Sequence, residues 1–557
     1  MAGVKQGDWV AVAADQVVAE ARRRGPGSPL VCASGISPSG PIHLGNLREI
    51  MVPHFVADEI RRRGVDCKHI LSWDDYDRLR KVPAGFPAHF AEHIGRPLTA
   101  VPDPCDAHES WAEHFKAAFR DALAELGVEV TEISQTAMYA SGAYREQIVH
   151  AMRNRERIDG VLGRYRTAKK VQDAGEDSED AEDADEASQG AEYYPYKPYC
   201  SACGRDTTTI TSFDEASTAI RYTCRCGHGD GLSLDRADGG KLAWKVDWPM
   251  RWAFEGVTFE AAGVDHSSPG SSFTVGSQLV REIFGGAPPS YLGYSFVGSS
   301  GSAKMSGSVG GAPTPANALQ ILEAPLLRWL YARRRPNQAI TVAFDQEVNR
   351  LYDEWDALAR KVGANEATPA DVAVHARSIG PAARVLVETE RVLPFRTLSS
   401  VADITMGDEA QTLRILRDFT ADDPLESLDQ VRPRLDRARA WITGHVPAEE
   451  RTQVRTDADR ERLESLSTAD RESIKLLLDG LEENWSLPGL TALVYGVPKV
   501  RAGLPLDAPP TPELKAAQRA LFSLLYVLLV GRVTGPRLPT LLLALGAERI
   551  LSLLTVA

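Results

Sequence analysis

The sequence predicts an α/β domain on a parallel sheet, split by a cysteine-bearing insertion and followed by an all-helical C-terminal region. Three observations carry that expectation. Residues 29–35 (PLVCASG) form a short apolar run ending in small residues, the pattern of a strand buried on both faces. LREIMVPHFVADEIRRRG then places apolar residues at helical spacing with basic residues before Gly64, and 67–73 (CKHILSW) reads as the next strand, so the unit is strand–helix–strand and the pair parallel. Beyond about residue 315 the apolar spacing is helical almost throughout.

In chain order, residues 8–24 (DWVAVAADQVVAEARRR) carry an amphipathic helical pattern, with acidic residues and no apolar core of a secretory leader. Residues 107–170 are mostly helical in pattern, for example HESWAEHFKAAFRDALAELG. Residues 173–192 hold ten Asp/Glu and no Lys or Arg, which reads as a solvated, disordered insert. Strand signals return in KLAWKVDW, GVDH and SYLGYSFVG, which assigns them to the second half of the same sheet. Thr314-Pro315 and Thr511-Pro512 are helix starts, and the tail RVTGPRLPTLLLALGAERILSLL holds two short helices joined by Gly/Pro turns. The expected segments are 1–106 and 241–315 for the two halves of the sheet domain, 107–240 for the insertion, 316–395 for a connecting helical domain and 396–557 for a terminal helical domain.

The chain has 557 residues, 43% hydrophobic and 25% charged, which excludes a wholly disordered chain, a collagen-like one and a disulfide scaffold. Its net charge of −13 argues against non-specific nucleic-acid binding only at first sight, because the acidic stretch carries most of the surplus. The remainder is near neutral and can present basic faces. The longest apolar run, 520–530, is too short to span a bilayer, so a cytoplasmic protein without membrane contact is expected.

Two loops carry the chemistry. Ser39-Gly40-Pro41-Ile42-His43-Leu44-Gly45-Asn46 lies between the first strand and its helix, where α/β folds place ligands and where a phosphate meets free N–H groups and the positive end of a helix dipole. His43 and Asn46 add side-chain donors, and Gly40 and Gly45 allow close approach to the backbone. Residues 301–308 (GSAKMSGS) put one lysine, Lys304, in a Gly/Ser loop that can close on a polyphosphate. Cys200-x2-Cys203 and Cys224-x-Cys226 form a zinc pattern of two thiolate pairs on turns, with His228 a rival for the fourth position. An ammonium substrate needs an aromatic face or a carboxylate, for which Trp244, Asp247, Trp248, Asp265 and His266 are candidates, with Asp74 and Asp75 either a ligand edge or a solvated turn. Arg328 and Arg333 to Arg335 offer a basic stripe for a phosphate backbone.

HLGN after the first strand and KMSGS some 260 residues later resemble the paired HIGH and KMSKS signatures of the class I aminoacyl-tRNA synthetases. ASGISPSGPIHLGNLRE, LSWDDYDRLRKVP, SGAYREQI, WKVDWPMRW, GVDHSSPG and GPRLPTLLLALG are similar to the class I lysyl-tRNA synthetases. The likeness weakens in the acidic stretch and between about 395 and 510, and Gly307 stands where the second KMSKS lysine is expected. The resemblance implies a Rossmann catalytic domain, an inserted acceptor-stem region with structural Zn²⁺, and an α-helical anticodon-binding domain. It implies a monomer that uses ATP with Mg²⁺ to activate L-lysine and then charges tRNA(Lys) on a 2′-hydroxyl. ATP would meet Ser39, Gly40, His43, Gly45, Asn46, Lys304, Met305 and Ser306, with His43, Asn46 and Lys304 catalytic. Lysine would meet Gly35, Ser37, Trp244, Asp265 and His266, and zinc Cys200, Cys203, Cys224 and Cys226. Glutamate specificity and a non-catalytic tRNA-binding paralogue remain the alternatives.

Overall fold

The computed structural model describes residues 8–25, 29–165, 192–236, 239–267, 271–299, 305, 311–381, 385–405 and 407–555. Nearly all of the acidic stretch, and Lys304 and Ser306, lie outside the described residues. The chain forms two compact units. One holds residues 1–319, 324–343 and 358–386, the other 320–323, 344–357 and 387–557. Residues 324–343 and 358–386 thus cluster with the sheet, where the sequence suggested a separate connecting domain.

The first unit is built on a five-stranded parallel sheet. Its strands are β1 (Leu30–Ile36), β2 (Cys67–Trp73), β3 (Thr131–Ser134), β4 (Phe259–Gly263) and β5 (Ser290–Tyr294), in the spatial order β5-β4-β1-β2-β3. The chain builds outward from β1 through β2 to β3, then returns to the other side of β1. That reversal opens a crevice above the carboxyl ends of β1 and β4. Alternation of side chains feeds two cores. Leu30, Cys32, Phe259 and Ala261 pack with α1 (Trp9–Arg24) and α2 (Leu44–Arg62). Val31, Ala33, Ile70 and Ala262 pack with α4 (Trp244–Glu255) and α5 (Ser272–Glu282), while α3 (Trp111–Glu125) leads into β3. Both faces are therefore covered, as an all-parallel sheet requires.

Three sequence expectations change here. The segment WKVDW is not a strand: only Gly240–Leu242 is extended, and the tryptophans begin α4. Trp244, Trp248 and Trp252 recur every four residues, a helical spacing that the apolar run masked. GVDH straddles the end of β4 and a 3₁₀ turn, Val264–Ser267. The segment after residue 107 supplies β3, a four-residue edge strand too short and too exposed to show an apolar pattern, so the first half of the sheet runs past residue 106.

Arg328 is not part of a basic surface stripe. It lies on α6 (Ala324–Ala332), has 0% exposure, and donates to the carbonyls of Leu126 at 2.8 Å and Arg377 at 2.8 Å. These are the C-terminal ends of α3 and α7 (Pro369–Ile379), whose last carbonyls lack helical partners and attract a cation. Its third contact, 3.1 Å to His54 Nε2, leaves that buried imidazole an acceptor and therefore neutral. His69, bonded to Ser34 Oγ at 2.9 Å, is equally buried, and burial with nearby Arg61 pulls it down to about 3.

The second unit has helices and no strand among the described residues. Its first layer packs helices Phe395–Thr405 and Arg434–His445 around Phe395, Leu398, Leu435 and Trp441. Arg434, also buried, donates to Glu323 at 2.7 Å and to both oxygens of Asp356 at 2.9 Å, a satisfied ionic core. Helices Leu487–Arg501, Pro512–Val530 and Leu538–Leu545 close the unit. No described helix is long and apolar enough to cross a membrane.

The neutral buried histidines set an acid limit on stability. The unfolded chain protonates them below about pH 6.5, whereas the folded chain holds His69 neutral to about 3, so stability is full above pH 6.5 and falls as pH drops through that window. At pH 5 the loss from His69 is about 2 kcal/mol. Denaturant unfolding at pH 7.5 and 5 should show that slope, and His69→Gln should flatten it; an unchanged slope would contradict the assignment.

Candidate active site

The HLGN loop is set by a local hydrogen-bond exchange. His43 is the N-cap of α2: its Nδ1 accepts the Asn46 N–H at 3.3 Å, and its own N–H donates to Asn46 Oδ1 at 3.1 Å. Two of the helix's orphan donors are thereby satisfied. With Nδ1 accepting, the neutral ring carries its proton on Nε2. A Cβ on Gly45 would stand 2.7 Å from the His43 ring, so glycine is what lets the imidazole lie across the helix start. Among the described residues the Gly45 N–H has no partner, which leaves it, with the dipole, for an anion. Gly40 is as confined, its Cβ position 3.0 Å from Pro83, and the Ser39 carbonyl accepts from Trp111 Nε1 at 3.1 Å.

The second loop is anchored at the same place. On its near side Val297–Ser299 pairs with Ile340–Val342, and the N–H of buried Met305 donates to Val297 O at 3.0 Å. On its far side Pro313 O accepts the Leu44 N–H at 2.9 Å, directly on the first residue of α2. Arg48, one turn into α2 and 1% exposed, donates to the carbonyls of Ser295 at 2.6 Å, Pro336 at 2.9 Å and Gln338 at 2.9 Å. The stems of the loop that carries Lys304 are thus tied to the helix start that carries His43 and Asn46.

The amino-acid candidates gather beside the ends of β1 and β4. Gly35 is the penultimate residue of β1, and Ser37 follows it, exposed. Trp244 stacks on Trp248 at 5.3 Å and 14°, and Trp248 meets His266 edge-on at 5.9 Å. The two tryptophans differ in kind. Trp248 Nε1 donates to buried Glu260 at 3.0 Å, as Trp252 Nε1 also does, so Trp248 belongs to the core; burial pushes Glu260 up to about 6. Trp244 is half-buried, and among the described residues its Nε1 has no partner. Arg251, 5.4 Å over the Trp244 ring, donates to Ser72 Oγ and Asp74 Oδ1, both at 2.7 Å, and lies 3.2 Å from Asp247. Asp247 also accepts from Tyr139 at 2.6 Å, so it is a supporting residue. Asp75 is buried on Lys116, Ser134 Oγ and the Thr136 N–H, and is not a solvated turn residue.

Sequence reasoning missed Glu49. It sits on α2 three residues after Asn46, and the Tyr294 hydroxyl at the end of β5 donates to it. Burial, then Glu49, then Asp265 hold the Tyr294 phenol well above its usual range. Only the glutamate in HLGNLRE hinted at this.

Two groups among the described residues can hold a metal. In the expected one, the Cys200–Cys226 and Cys203–Cys224 sulfurs are 3.8 and 3.7 Å apart. A tetrahedral Zn²⁺ with bonds of about 2.3 Å has S–S edges of about 3.8 Å, so the four thiols fit. His228 bonds Ser201 Oγ at 3.1 Å and faces Asp230, outside that set. The second group, Asp103, Cys105, His108 and His114, was not anticipated, although its Asp-x-Cys-x2-His-x5-His spacing was visible in PDPCDAHESWAEH. His114 Nδ1 lies 2.9 Å from Asp103, and Cys105 Sγ lies 3.3 Å from His114 Nδ1 and 3.5 Å from His108 Nδ1. All four ligand atoms fall within 4.8 Å of one another.

The family model for tRNA synthetases class I (K) matches residues 7–378. The chain belongs to this family. It is 60% identical to the lysine–tRNA ligase of Streptomyces coelicolor over 98% of both chains. It is 31% identical to those of Pyrococcus horikoshii, over 96% of this chain and 97% of that one, and Pyrococcus furiosus, over 97% and 98%. The parallel sheet and the helices around it are the class I synthetase fold.

Two outcomes follow from the geometry. Gly45→Ala should drive the His43 ring off the helix start and lower amino-acid-dependent ATP–pyrophosphate exchange by at least about 100-fold, the scale of losing one positioned donor, with little change in melting temperature. A near-normal rate would show the ring is not needed there. Elemental analysis of the purified protein should find close to two bound metal ions, with Cys200→Ser and His114→Ala each removing one.

Proposed function

We propose that this chain is a lysine–tRNA ligase that forms lysyl-adenylate from L-lysine and ATP and transfers the lysyl group to the 3′ adenosine of tRNA(Lys). The single observation that carries the reading is the tie between the two loops: Leu44 N–H on Pro313 O and Arg48 on Ser295, Pro336 and Gln338. The lysine carboxylate attacks the α-phosphorus in line and pyrophosphate leaves, so no protein nucleophile is required. The protein orients the reactants and stabilises charge on the phosphates. His43 Nε2–H, the Gly45 N–H and the Asn46 side chain receive the triphosphate with its Mg²⁺, beside Ser39 and Gly40. Lys304 closes on it, flanked by Met305 and Ser306.

Gly35, Ser37, Trp244 and His266 line the amino-acid pocket. Asp265 gives the pocket the negative charge that an ε-ammonium seeks and that a glutamate side chain would be repelled by. Four thiolates leave no open coordination position, so the Cys200, Cys203, Cys224 and Cys226 site is a structural Zn²⁺ in the insertion, organising the region that meets the acceptor stem. Residues 396–557 are the anticodon-binding region, the 2′-hydroxyl is the acceptor, and the enzyme acts as a cytoplasmic monomer.

Exchange assays with lysine and with glutamate, alongside charging of tRNA(Lys), test the reading; glutamate-dependent exchange, or tight tRNA binding without charging, overturns it. Within that assay Lys304→Ala should lower kcat by about 2–4 kcal/mol in barrier terms while KM for ATP changes little, because the loop meets the phosphates as charge develops. A variant with a near-normal exchange rate would remove Lys304 from the chemistry.

A further inference from the structure

The α-ammonium of an amino acid is one carbon from the carboxylate that reacts. Whatever binds it must stand beside the end of β1 and the start of α2, not at the far end of the pocket. Asp74 stands there. It is the first residue past β2, its N–H donates to Ile36 O at 2.9 Å, and a Cβ on Gly35 would lie 3.8 Å from its Oδ2. Oδ1 is taken by Arg251 at 2.7 Å, the guanidinium that also covers Trp244. Among the described residues Oδ2 accepts no hydrogen bond. The residue is 7% exposed, so an approaching group would displace little water.

The charge around it is short of cations. Arg251 is shared between Asp74 and Asp247, and Lys241 between Asp77 and Asp247. Arg80 stands by Asp77, and Glu260 lies behind the same guanidinium. Burial, opposed by Arg251 but reinforced by Asp77 and Asp247, pushes the Asp74 carboxyl up to about 6. A third cation placed on Oδ2 would relieve that strain on the ionised form.

We propose that Asp74 binds the α-ammonium group of the amino-acid substrate through Oδ2, while Arg251 holds its other oxygen in register with Gly35 and Trp244. The proposal rests on the lysine activation proposed above. Its reach is the amino-acid backbone and not the side chain, so it governs whether an α-amino acid is accepted at all.

The test compares L-lysine with (S)-6-amino-2-hydroxyhexanoate, in which a neutral hydroxyl replaces the α-ammonium and every other group is kept. Binding of each to the full-length protein is measured by calorimetry. The wild type should prefer lysine by roughly thirty-fold or more, the scale of one buried charge pair. Asp74→Asn, which still accepts from Arg251, should cut that preference to within about three-fold while the affinity for the hydroxy acid is kept. Protonation of Asp74 removes its attraction, so the wild-type preference should fall by up to about ten-fold per unit as pH drops below 6. Equal weakening of both ligands by Asp74→Asn, or a preference it leaves intact, overturns the proposal. Should that variant not fold, the wild type decides: a preference that is constant between about pH 5 and 7.5 overturns it. A wild-type protein that binds neither ligand instead sinks lysine activation itself, so the two failures are distinguishable.

Discussion

The catalytic unit depends on one buried guanidinium. Arg48 leaves the HLGN helix and satisfies backbone carbonyls from Ser295, Pro336 and Gln338, residues almost 250 to 290 positions away. Among the described residues this cation has no carboxylate partner, which is costly, and burial pulls its pKa down to about 10. Several carbonyl dipoles in fixed positions offset that cost, and they cannot be supplied unless both halves of the sheet are in place. The interaction therefore ties α2 to the segments that follow β5 and α6.

Buried charge is handled in the same manner elsewhere. Arg328 joins the C-terminal ends of two helices, and Arg434 is closed by Glu323 and Asp356 within the second unit. In each case the guanidinium fork binds several acceptors at once, which a lysine ammonium could not match in geometry. Around Trp244 the pattern changes. Arg251 lies between Asp74 and Asp247, and among the described residues its Nε and Nη2 have no hydrogen-bond partner.

Much of the site was legible because its chemistry is local. Ser39 to Asn46 lie within one strand–helix connection, and the reciprocal bonds of His43 and Asn46 span three residues. The four cysteines fall in two tight turns, so their spacing alone implied a shared site. Sequence alone offers Trp244, Asp247 and Trp248 alike, because it cannot tell a tryptophan bonded to Glu260 from one whose N–H has no partner among the described residues. Arg328 was read as surface because a basic residue near a helix end is usually solvated.

The sequence by itself determined the parallel sheet, the HLGN turn at the start of α2, the thiolate cluster and the helical second half, since each rests on periodicity or on short spacings that the backbone reproduces wherever they occur. Tertiary structure decided the rest. It made β3 an edge strand, turned WKVDW into a helix, brought Glu49 to Tyr294 and set Asp103, Cys105, His108 and His114 together. It also chose which of two adjacent aspartates faces Gly35 and which is spent on Lys116. These are long-range pairings of single side chains. Their physical basis is which buried polar group finds a partner, and that depends on neighbours the local sequence does not contain.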